Sequence, residues 1–185
     1  MKSSSQSRYI KGPHPKASIP PKSEIIKEFL SLGWIFQQKI NGRRIQIHIP
    51  RCPIKEIICY TRQGSLHTIP LSSNIQDVIR AYYAPKQGEW NVLEGEFVPQ
   101  LDKVFLFDVL VHEDKLLTHL NFKSRHSLLK RAFISPYLSI LKTFTSIKDA
   151  VRILAGKEDW IEGIIFKSDS IGFDDRSVVR CRKAA

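Results

Sequence analysis

The sequence is poor in cysteine: Cys52, Cys59 and Cys181 are the only three, and none forms a CxxC pair. An odd count in no repeated spacing argues against a disulfide framework or a zinc site. A reducing, intracellular setting is the simplest one it fits. No apolar run approaches the ~20 residues that a membrane span needs. The N-terminus has no apolar stretch of the secretory-signal kind. Acidic residues are absent from residues 1–22.

What is abundant is positive charge. The chain of 185 residues carries a formal net charge of +11. Such a balance points to a polyanionic partner, because Lys and Arg that neutralise phosphates release condensed counterions. Residues 1–22 hold five of these cations, Lys2, Arg8, Lys11, Lys16 and Lys22, together with Pro13, Pro15, Pro20 and Pro21. That composition reads as a flexible arm that buries no core, with the folded domain over residues 23–185. Taking the arm's five charges from +11 leaves +6 on the domain, which is therefore basic in its own right.

Periodicity predicts a helix from Ser23 to near Gly33, then strands around Trp34 and Phe36, Ile45 to Ile49, and Ile57 to Tyr60. Ser73 to Gln76 reads as a capping box opening a helix through Tyr83. Trp90 to Val98 and Val104 to Val111 read as strands joined by a short turn. A helical stretch is expected from near His126, interrupted by Pro136. Ser146 to Asp149 reads as a second capping box, and Gly156 closes its helix. Ile161 to Phe166 and Ser177 to Cys181 complete the strands. Strands that follow one another through short turns, with helices inserted between groups of them, indicate an α+β fold of mainly antiparallel sheets with flanking helices.

Three clusters carry residue types suited to chemistry. Lys39-Ile40-Asn41-Gly42-Arg43-Arg44 joins two strands at a tight turn. Taken alone it is a basic hairpin. Leu93-Glu94-Gly95-Glu96-Phe97-Val98 sets two carboxylates on one face of an apolar strand. Glu162 opens the apolar strand Ile161 to Phe166, where an unpartnered carboxylate would be costly, so it needs a cation, a metal or a hydroxyl donor.

In this order the clusters resemble the covalent nucleotidyltransferase superfamily of ATP-dependent DNA ligases, RNA ligases and mRNA capping enzymes. The resemblance spans about residues 23–183 and is strongest to the adenylation domain of ATP-dependent DNA ligases. Lys39 to Arg44 resembles motif I, KxDGxR. Tyr60-Thr-Arg-Gln-Gly64 resembles the motif that follows, Leu93 to Val98 motif III, and Glu162 to Lys167 motif IV. Phe105 to Leu110 resembles the strand bearing the base-stacking ring. Val178 to Lys183 stands at motif V.

The resemblance implies an ATP-grasp-like nucleotidyltransferase domain and a ligase that seals 5′-phosphate and 3′-hydroxyl ends. Lys39 is the implied nucleophile, attacking the α-phosphate of ATP and carrying AMP. Gln37 would read the purine edge, and Phe107 would stack on the base. Glu96 would bind the ribose hydroxyls. Arg44 and Arg62 would grip phosphates, as would Lys167. Arg180 and Arg182 would hold the α-phosphate, and Glu162 a Mg²⁺ or Mn²⁺ ion. Nicked DNA or RNA ends are the implied nucleic-acid partner, and a monomer is the expected state.

Three departures stand out. Asn41 replaces the aspartate of motif I. Motif V has arginines for lysines. The sequence ends at Ala185, where the family continues into an OB-fold domain. No OB-fold domain is therefore expected here, which would impair self-adenylation or call for a protein partner supplying that function. Two alternatives compete: a catalytically silent nucleic-acid-binding relic, and a GTP-dependent capping guanylyltransferase.

Overall fold

The computed structural model describes residues 8–129, 135–170 and 172–184. Two sheets form the body. The first has the strands β1 (Ser18–Ile19), β10 (Val178–Arg182), β9 (Ile161–Lys167) and β2 (Ile35–Ile40), in that spatial order. The second runs β4 (Ile58–Thr61), β3 (Arg43–Pro50), β5 (Trp90–Val98), β6 (Lys103–His112) and β7 (Lys115–Leu116), with β8 (Leu138–Ile140) parallel to β6. All pairings are antiparallel except β1 with β10 and β6 with β8. This is the expected α+β architecture.

Period-2 alternation gives each sheet one apolar and one polar face. On the first sheet Phe36, Ile164, Phe166, Val179 and Cys181 point to a core shared with α1 (Ser23–Ser31) and α4 (Ile147–Ala155). Those helices contribute Ile26, Ala150 and Ile153. On the second sheet Ile45, Ile47, Ile49, Leu93 and Leu106 pack against Ile75 and Ile79 of α2 (Ser73–Tyr83). The other two faces look toward each other and carry polar side chains: Gln37 and Lys39 on β2, Arg44 and Gln46 on β3, Glu94 and Glu96 on β5. Phe105 on β6 joins the first core and stacks on Trp160 at 5.3 Å.

Asn41-Gly42 does not close a hairpin. The turn carries the chain out of the first sheet, where β2 pairs β9, into the second, where β3 pairs β4 and β5. Lys39 thus stands where the chain crosses between sheets. Gly163 of β9 lies opposite Lys39, with φ +154, and a Cβ there would fall 2.1 Å from the Cys181 carbonyl oxygen. Only glycine admits this close packing of β9 on β10.

Several boundaries differ from expectation. The N-cap of α2 is Ser72, not Ser73: its Oγ accepts from Ile75 N at 3.3 Å and donates to Asp102 at 2.8 Å. Ser146 does cap α4, but through Lys148 N. The helix expected from His126 ends there instead: α3 spans Phe122–Ser127 and is capped by Asn121, whose side chain accepts from Ser124 N. The asparagine cap sets the start one turn earlier than the apolar pattern suggested. The remainder of that expected helix crosses 130–134, outside the described residues. Among the described residues, no helix is long and apolar enough to cross a membrane.

Composition set residues 1–22 apart as an arm, yet residues 8–22 run along the body. Ser18 and Ile19 pair in parallel with Arg180 and Cys181, and Ile19 packs on the first core.

Candidate functional site

The facing polar surfaces enclose a cavity of about 480 Å³, within the range of small-molecule sites. Gln37, Lys39, Arg44, Arg62, Glu96, Phe107, Lys167, Arg180 and Arg182 all line it. Glu162, the remaining residue singled out in the sequence, reaches it through Lys39. Lys39 Nζ lies 2.5 Å from Glu162 Oε2, and Arg182 Nε stands 3.5 Å from the same oxygen. One carboxylate oxygen thus faces two cations.

Glu94 and Glu96 share a strand face but differ in environment. Glu94 accepts from Arg44 Nη2 at 2.7 Å and from Gln46 at 3.3 Å. Glu96 Oε2 is buried with no hydrogen-bond partner among the described residues. Burial raises the Glu96 carboxyl to about 7, against the opposing pull of Arg44 and Lys39. Arg180 Nε and Thr61 Oγ1 are likewise buried without partners. Buried polar atoms are nearly always paired, so three such atoms around one cavity mark a place shaped for a polar ligand.

Lys167 is buried, and its ammonium lies over the rings of Phe107 at 4.7 Å and Phe122 at 4.0 Å. Burial lowers it to about 7. Arg44 also faces Phe107, at 5.6 Å. Its Nη1 donates to the Pro13 carbonyl at 2.6 Å, so both terminal nitrogens are committed to protein partners. Gln37 is buried and donates from Nε2 to the Leu141 carbonyl at 3.0 Å, which fixes its amide plane.

No protein-family model matches the sequence, and no curated protein matches it. Solved structures do. The structure titled "Pmar-Lig_PreS3" superposes with a TM-score of 0.58 at 15% identity, over 90% of this chain and 46% of that one. Mycobacterial DNA ligase D complexed with ATP and MES gives 0.56 at 15% identity, over 80% and 54%. The ligase domain of M. tuberculosis LigD gives 0.55 at 17% identity, over 79% and 52%. The chain has the nucleotidyltransferase fold of ATP-dependent DNA ligases. It spans about half the length of the chains it matches.

Within this ligase fold, two groups of cavity-lining residues escaped the sequence reading. Asp108 and Arg125 form a buried bidentate pair at 2.8 and 3.0 Å on the cavity wall. Arg125 stands just ahead of the helical stretch expected from near His126, and nothing in its sequence neighbourhood singled it out. The second group is Pro13, His14 and Pro15, which line the cavity although they come from the presumed arm.

Proposed function

We propose that the chain is the adenylation domain of an ATP-dependent polynucleotide ligase, DNA ligase-like, acting through a covalent lysyl-AMP at Lys39. The supporting observation is that Thr61 Oγ1, Glu96 Oε2 and Arg180 Nε, buried and unpartnered, all belong to residues lining the cavity that holds Lys39. A nucleotide offers partners for all three: phosphate oxygens for the guanidinium and for the threonine hydroxyl, and ribose hydroxyls for the carboxyl.

Lys39 attacks phosphorus as a neutral amine. A nitrogen–phosphorus bond forms and the bond to the leaving pyrophosphate breaks. The proton on Nζ must first leave, and Glu162 is the acceptor within 2.5 Å. Arg180 and Arg182 balance charge developing on the α-phosphate. Gln37 keeps an amide oxygen to accept from an amino group on the purine edge, and Phe107 offers its ring to the base. Arg44, already bound by Glu94 and Pro13, frames the pocket and supports Phe107. Arg62, on an exposed turn, is the better placed of the two for a phosphate end.

A divalent metal fits this donor set only partly enclosed by protein. No cluster of three or more His, Cys, Asp or Glu side chains suited to a metal occurs among the described residues. Glu162 is a carboxylate of the kind that would hold Mg²⁺ together with water and substrate phosphates. Such an ion supplies charge neutralisation at the phosphates. Nucleic acid bearing a 5′-phosphate is the proposed acceptor, in keeping with the +11 charge.

The test is incubation of the protein with α-labelled ATP or GTP and Mg²⁺ or Mn²⁺. Acid-stable, protein-bound label from ATP supports the reading. Label from GTP alone would mean a guanylyltransferase. No label, with no sealing of a pre-adenylated nick, would leave a nucleic-acid-binding domain.

A further inference from the structure

We propose that His14 is a positioning residue for Arg62, holding that guanidinium at the site for the 5′-phosphate end of the nucleic acid. The inference rests on the ligase reading of the cavity and extends it to a segment that reading does not use. His14 Nε2 lies 2.7 Å from Arg62 Nη1. Both residues line the cavity, and Thr61, with its buried unpartnered hydroxyl, precedes Arg62 in the chain. An arginine has no acceptor, so the guanidinium donates and Nε2 accepts. Burial and the adjacent Arg62 and Arg44 lower the His14 imidazole from its ordinary value, which favours the neutral, accepting form.

His14 is itself held rigidly. Pro13 and Pro15 flank it, fixing their own φ and confining residue 14 to extended backbone. The Pro13 carbonyl accepts from Arg44. His14 N donates to Asp175 Oδ1 at 2.9 Å, and Lys16 pairs with Asp175 at 2.7 Å. Upstream, Gln46 clamps Ile10 by accepting from its N–H at 2.8 Å and donating to its carbonyl at 2.7 Å. Gly12 lets the backbone pass close to the buried Arg44–Glu94 pair, since a Cβ there would lie 2.7 Å from Arg44 Nη2. Tyr9 donates to the Arg62 carbonyl at 2.6 Å. The turn carrying Arg62 is therefore bonded to this strap at both its backbone and its side chain.

The physical consequence is preorganisation. An arginine on an exposed turn must give up rotamer freedom to bind a phosphate. One donor spent on His14 fixes the plane and leaves the other N–H groups for the anion. Loss of that contact lowers affinity for the phosphate end by about tenfold, the scale of one well-made hydrogen bond.

The experiment titrates the whole protein with fluorescent nicked duplexes that differ only in a 5′-phosphate or 5′-hydroxyl at the nick, read by anisotropy. Wild-type protein is expected to prefer the phosphate. His14→Ala is expected to lose most of that preference, and His14→Gln, whose amide oxygen accepts from Arg62, to keep most of it. Arg62→Ala should lose the preference, with His14→Ala adding nothing further. An undiminished preference in His14→Ala overturns the proposal. So does a stronger one, which would make His14 a competitor of the phosphate rather than a support. Wild-type protein that does not distinguish the two nicks also overturns it. Because this readout needs no catalysis, it stands apart from the labelling of Lys39, whose absence would overturn the ligase reading instead.

Discussion

Lys39 Nζ and Glu162 Oε2 meet at 2.5 Å across the paired strands β2 and β9. The glutamate is brought there by a bulged register between Lys39 and Ile40, and by Gly163, which lets β9 sit tightly between its neighbours. Both side chains keep some exposure, 19% and 26%. A pair of that kind adds little stability, of order 1 kcal/mol or less. Glu162→Gln should therefore leave the urea midpoint almost unmoved while slowing nucleotide labelling of Lys39 by about a hundredfold or more. Equal labelling rates in variant and wild type would remove Glu162 from the reaction.

The buried Asp108–Arg125 pair should behave in the opposite way. Its side chains are 6% and 5% exposed. Arg125→Ala leaves an uncompensated buried carboxylate and is expected to cost about 3–5 kcal/mol in equilibrium unfolding. Replacing both partners by leucine should recover a large part of that loss. A single-variant cost below about 1 kcal/mol would show that the pair is wetter than the structure indicates.

Glu96 gives a pH signature. Its carboxyl is raised from 4.5 to about 7 in the folded protein, chiefly by burial. Folding therefore favours the protonated form. That contribution is complete below about pH 4.5 and is lost as pH rises through about 7. Glu96→Gln carries no titrating group, so its stability relative to wild type should rise over that window and level off above it. The upper bound on the rise is about 3 kcal/mol. A difference independent of pH would mean that Glu96 titrates normally.

Much of this site was legible in the sequence, for a physical reason. Glu162 reaches Lys39 only through the bulged register of β2 on β9, but Lys39, Glu96 and Arg180 are polar residues set into otherwise apolar strands, and period 2 sends each to the cavity face of its strand. Phe107, Lys167 and Arg182 follow by the same parity. The strap was not legible, because Pro13, Pro15 and the run of cations look alike whether a segment is free or bonded to a distant partner. Its contacts span large separations: Gln46 to Ile10, Arg62 to His14, Asp175 to Lys16. Arg125 was missed because its partner Asp108 lies on a different element. Ser73 was read as a cap one residue late because two adjacent serines offer the same hydroxyl.

Gly163 tests the fold around Lys39. Gly163→Ala would set a Cβ 2.1 Å from the Cys181 carbonyl oxygen, at a φ of +154. It is expected to destabilise the protein by at least about 2 kcal/mol, as strained backbone does. Gly172→Ala, with nothing within 4 Å of its added Cβ, should be close to neutral. Similar melting temperatures for the two variants would contradict the close packing of β9 on β10.

The central claim is that Lys39 carries the nucleotide. The most direct measurement is peptide mapping by mass spectrometry after incubation with ATP and a divalent metal. The account predicts an AMP adduct on the peptide containing Lys39, and its disappearance in Lys39→Ala. An adduct on any other lysine, or one that persists in Lys39→Ala, would contradict it.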